Sequence, residues 1–156
     1  MKTSFKTILF LAIIPMLSFG QKYETEYLEN LKLASDLYLK KEKIPDAVLL
    51  NLVPKNHPEF EHYYGTTYPE NRMYETSFFH DSSQKIFEKV IDSKNDRFYL
   101  PSLQLISFAD GEYAEGFIEY LELIIEMDKE KFCKSINGKE YANQNPIKYY
   151  SDITCK

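Results

Sequence analysis

The chain has 156 residues and a net charge of −5, from 19 lysines and arginines against 24 aspartates and glutamates. A net negative charge argues against nucleic acid and anionic lipid as electrostatically driven partners, because both are held by neutralising phosphate. Two cysteines are too few for a fold built from disulfides, so a domain of this size must carry its own apolar core.

In chain order, the first twenty residues differ in kind from the rest. Lys2 and Lys6 precede an apolar run from Ile8 to Leu17, and Ser18, Phe19 and Gly20 follow. A basic start, a short apolar stretch and a small-residue exit predict a secretory signal peptide over 1–20, cleaved before Gln21, and hence a periplasmic or secreted product. The run is interrupted by Pro15 and is shorter than the roughly 20 residues that span a bilayer, so no stable membrane insertion is expected after cleavage. Cleavage would leave 21–156 as a single domain. It would take Lys2 and Lys6 with it, so that 17 basic residues face 24 acidic ones, a net charge of −7. The leader and the Lys, Asn and Ile usage have a bacterial character.

Helical spacing begins at Tyr23. Tyr27, Leu28, Leu31, Ala34, Leu37 and Tyr38 recur on one side as far as Lys40, with glutamates early and lysines late, as the helix dipole favours. Pro45 restarts the chain and Ala47 to Val53 predicts a short buried helix closed by Pro54, although a buried strand has the same apolar signature. Residues 54–80 form an irregular connection with one or two helical turns, broken by Pro54, Pro58, Pro69 and Gly65 and crowded with aromatic residues. Asp81 and Gln84 have capping-box spacing, which starts the third helix at Asp81 and carries it to about Ser93. Asn95 or Asp96 caps the next helix, from Arg97 to about Ala109. The stretch EYAEGFIEYLELIIEMD, residues 112–128, is the helix after that. Asp128 caps a last short helix stopped by Asn137 and Gly138, and 139–156 reads as a polar tail.

No alternating pattern long enough for a strand occurs, and no two segments align as repeats. Helices joined by short links pack antiparallel, so the expected fold is all-α, an antiparallel bundle or a short stack of helical hairpins. Cys133 and Cys155, both in an exported part of the chain, are expected to form a disulfide that staples the tail.

The functional candidates are surfaces. At about 100° per residue, Glu112, Glu115, Glu119, Glu122 and Glu126 share one narrow sector, and no basic residue occurs between Glu112 and Glu126. Glutamates four apart repel each other. The line is therefore either the wet side of an amphipathic helix or a docking stripe for a basic protein. Tyr63, Tyr64, Tyr68 and Tyr74 have the composition of a recognition surface, large rigid rings with polar tips, and equally that of a second core roofing the helices.

Chemistry is less well signalled. HPEFEH, His57 to His62, has one residue too many for a zinc protease signature, and five positions along a helix separate the two rings by about 140°. No G-x-S-x-G occurs, and a pair of acids in a chain with 24 of them identifies no glycosidase. No catalytic residue, metal ligand or cofactor is assigned. The expectation is an exported acidic protein-binding module, in its most concrete form an inhibitor or immunity-type protein capping a basic partner. A hydrolase with an unidentified carboxylate pair, or a small-ligand carrier with its pocket under the aromatic segment, is the alternative.

Overall fold

The computed structural model describes residues 25–155, and the expected signal peptide over 1–20 lies outside the described residues. Among the described residues the fold is all-α, with eight helices and no strand. They are α1 (25–39), α2 (Asp46–Asn51), α3 (His57–Tyr64), α4 (Phe78–Ile91), α5 (Tyr99–Ile106), α6 (Ala114–Met127), α7 (Lys129–Ile136) and α8 (Ile147–Thr154). No helix among them is long and apolar enough to cross a membrane.

Each boundary has a local cause. α1 ends where Lys41 adopts φ 57, with Lys41 N–H donating to Tyr38 and Glu42 N–H to Leu37, the bond pair of a Schellman motif. Pro45 stands at the N-cap of α2, whose carbonyls are taken by α1: the Tyr27 hydroxyl donates to Leu52 at 2.9 Å and Asn30 to Val48 at 3.0 Å. Asn95 and Asp128 accept the N–H groups of Arg97 and Lys131 at the starts of the segments they were expected to cap. Gly138 takes φ 71 after α7, a conformation in which a side chain is strained.

The packing is centred on α4, which touches α2, α5 and α6, while α6 also meets α5 and α7, and α7 meets α8. One continuous core follows, with Phe78, Phe87, Phe98, Phe132, Leu121 and Ile147 fully buried within it.

Three expectations need correction. The connection over 54–80 is more ordered than its prolines imply. Asn56 accepts the Glu59 N–H at 2.9 Å, Glu59 reaches back to the Lys55 N–H at 2.6 Å, and Pro58 falls in the first turn, where its missing N–H costs nothing. The helix α4 starts one turn before Asp81, because Phe78 and Phe79 are both buried and helical geometry places them on the core. Asp81 then accepts the Tyr38 hydroxyl at 2.6 Å, and Gln84 donates to Glu88 at 2.7 Å, so neither acts as a cap. Finally, 139–156 is more structured than a polar tail. It holds a 3₁₀ turn and α8, and buries Ile147 completely.

Cys133 and Cys155 are joined, 22 positions apart. Closing a loop of that length stabilises a fold by about 3 kcal/mol in the chain-entropy model. The double variant Cys133→Ser, Cys155→Ser is expected to lose about that much while remaining folded on its core. Denaturant midpoints followed by helical circular dichroism measure the loss.

Candidate functional site

The aromatic segment divides in two. Tyr63 is fully buried, and a single assignment satisfies its hydroxyl and both serines beneath it. Ser83 donates to Tyr63, Tyr63 donates to Ser82 at 2.5 Å, and Ser82 donates to the Phe78 carbonyl at 2.5 Å. Burial pushes the Tyr63 phenol up to about 12, with the hydrogen bonds to Ser82 and Ser83 opposing the rise. Tyr63 is thus roof and cannot meet a partner. Tyr74, 51% exposed, is free to do so. Tyr64 is half-buried and Tyr68 lies at the edge, their rings 5.6 Å apart and nearly perpendicular.

Beyond Tyr64 the rings continue as one wall. Tyr64 meets Phe79 at 5.4 Å and Tyr113 at 4.9 Å, and Tyr113 meets Phe117 at 5.3 Å. Phe117 meets Phe87 at 5.0 Å, and Phe87 meets Tyr120 at 4.8 Å. Most of these pairs are tilted or edge-on, the arrangement that aromatic quadrupoles favour. The wall borders a cleft of about 480 Å³ between α3 and its following turn, α4 and α6. Thr67, His80, Ser83 and Gln84 supply its polar atoms. Burial raises the hydroxyls of Tyr68, Tyr113 and Tyr120 above the ordinary phenol value, with nearby carboxylates adding to it, Glu61 for Tyr68 and Glu88 for Tyr120. These are neutral hydrogen-bonding groups well past neutral pH.

Gly116 is an exposed residue bordering the cleft. It lies inside α6 on the cleft wall, and a Cβ built there would meet nothing within 4 Å. No neighbour requires a glycine at this position, and an interior helical glycine costs about 1 kcal/mol relative to alanine. The space it leaves belongs to the cleft.

Two larger hollows, of about 1140 Å³ beside the disulfide and about 1110 Å³ beside Tyr141, are lined mostly by loop amides and charged side chains. Among the former, Lys148 is paired with Asp152 at 2.7 Å and Lys134 with Glu130 at 3.2 Å. Neither hollow has the three rigid helical walls of the aromatic cleft.

The acidic line forms as expected along α6. Glu115, Glu119, Glu122 and Glu126 are exposed, opposite the buried Phe117, Leu121 and Ile124. The side chain of Glu112 lies outside the described residues. No ion pair among the described residues involves Glu115, Glu119 or Glu126, but Glu122 accepts the Tyr150 hydroxyl of α8. That bond, with some burial, pushes Tyr150 up to about 12. His57 sits 3.2 Å from Glu61 on the exposed face of α3, and no group of three or more potential metal ligands gathers among the described residues.

The cleft was only half visible in the sequence. Tyr64 and Tyr68 were candidates, whereas Tyr113, Phe117 and Tyr120 were not, because aromatic residues along an amphipathic helix match any apolar helical stripe. Gly116, a helix-weakening residue inside 112–128, was the available signal. A comparison of alanine variants separates roof from rim. Tyr63→Ala is expected to cost about 3–5 kcal/mol and Tyr63→Phe about 1–3 kcal/mol, from stranded serine hydroxyls. Tyr74→Ala should stay within about 0.5 kcal/mol, all read from equilibrium unfolding. No family model, curated protein or solved structure matches the chain.

Proposed function

We propose that this chain is an exported binding protein that holds a small organic ligand in the aromatic cleft between α3, α4 and α6. The observation that carries this reading is the open space beside Gly116 against a continuous wall of rings. The volume of about 480 Å³ falls within the range of small-molecule sites, which are concave, mostly apolar and fitted with a few polar groups that orient the ligand. Those groups are the tyrosine hydroxyls, His80 and Gln84. The Cys133–Cys155 bridge is consistent with an oxidising compartment, as the leader-like residues 1–20 imply.

Filling the cleft tests this. Gly116→Leu is expected to leave the protein at least as stable as the parent, since leucine is the better helix former by about 0.8 kcal/mol, while its side chain occupies the cleft. Native mass spectrometry of the secreted protein should show a copurifying small molecule on the parent and none on the variant. Equal ligand loading of the two would refute the cleft as the site.

A second reading, docking of a basic protein along α6, is favoured by Glu115, Glu119 and Glu126 standing exposed without a described cation. Reversal of these three to lysine should abolish salt-sensitive association with that partner and leave the circular dichroism unchanged. Retained association after reversal removes the docking stripe.

A further inference from the structure

We infer that the cleft is built for a small organic cation, an alkylated ammonium group whose charge rests against the tyrosine faces. This rests on the reading of the cleft as a binding site and specifies its ligand class. Three observations converge on it.

The first is the wall itself. An alkylammonium is attracted to aromatic faces by the ring quadrupole, and an ion with methyl or methylene groups around its charge loses little hydration on entering an apolar cleft. Tyr64, Tyr113 and Tyr120 are each half-buried, so part of each ring is core and part is available to a ligand. Their mutual tilts present ring surface from several directions around one space.

The second is charge. The residues lining the cleft include no lysine and no arginine, and His80 is their one basic side chain. Carboxylates act on the cleft tyrosines at both ends: Glu61 and Glu70 on Tyr68, and Glu88, Asp92 and Glu119 on Tyr120. Of the nearby cations, His57 is beside Glu61 on the outer side of α3. Lys89 is bound to Asp46, and Lys85 lines a neighbouring hollow that it shares with Lys43, Glu88 and Asp92. An anion entering the cleft would find no lining lysine or arginine to pair with, whereas a cation would find the tyrosine faces.

The third is size. A volume of about 480 Å³ lies within the range of small-molecule sites.

Choline and its neutral carbon isostere, 3,3-dimethylbutan-1-ol, share shape and hydroxyl and differ in charge. Titrating each into the disulfide-bonded chain, with NMR shift changes followed at the cleft residues, isolates the charge. Choline is expected to bind at least about tenfold more tightly than the isostere. Gly116→Leu should abolish its binding, and Tyr120→Leu should weaken choline while sparing the isostere. Equal affinity for the two, both lost in Gly116→Leu, would overturn the cation inference and leave the binding cleft standing. No shift change from choline would also overturn it. The binding-cleft reading is then judged separately, by whether a copurifying ligand is lost from Gly116→Leu.

Discussion

The helix α4 has to satisfy neighbours on most of its circumference, and the rest of the molecule is arranged to let it. Phe78, Phe79, Ile86, Phe87 and Val90 are all buried, so a single apolar stripe against one partner would not suffice. The two serines in its middle are buried as well, and burying a hydroxyl costs free energy unless it is hydrogen-bonded. Tyr63 answers that requirement. Its hydroxyl completes a chain of hydrogen bonds with Ser82 and Ser83 while its ring packs on Phe79 at 4.8 Å, and α3 is thereby set at a defined position over α4.

With α3 fixed, the cleft follows. Tyr64 packs at the edge of the core and becomes the first ring of a wall that Tyr113, Phe117 and Tyr120 continue. Tyrosine suits this position because its body is apolar and its tip tolerates water, so one side chain closes the core and lines a wet hollow. Phe79, Phe87 and Phe117 form the inner part of the same wall and are buried. Roof and cleft are two sides of one ring cluster.

The end of the chain is held by different means. Ile147 is buried and Cys155 is bridged to α7, and between them Tyr150 donates to Glu122 on α6. A short helix with only Ile147 fully buried along its length would be marginal alone, since isolated helices below about 12 residues are unstable in water. The bridge confines it. The contact also places a tyrosine on the middle of the acidic line, so the glutamates left unengaged lie on either side of it: Glu115 and Glu119 toward the cleft, Glu126 toward α7.

The all-α class, the amphipathic division of α6, the caps at Asn95 and Asp128 and the pairing of Cys133 with Cys155 were all legible in the sequence. Each depends on periodicity, on a side chain reaching a backbone group two or three residues away, or on there being only two cysteines to join. The start of α4 was misplaced because Asp81 and Gln84 satisfy a capping pattern locally, while burial of Phe78 and Phe79 against distant helices decides the outcome. Order over 57–64 was underestimated although Asn56 and Glu59 carried its signal. What only the tertiary structure decided is which aromatic residues face inward and which border a space. Periodicity marks a side chain as apolar and assigns it to a face of its own helix, but a cleft exists only where the faces of three helices meet without filling the volume between them.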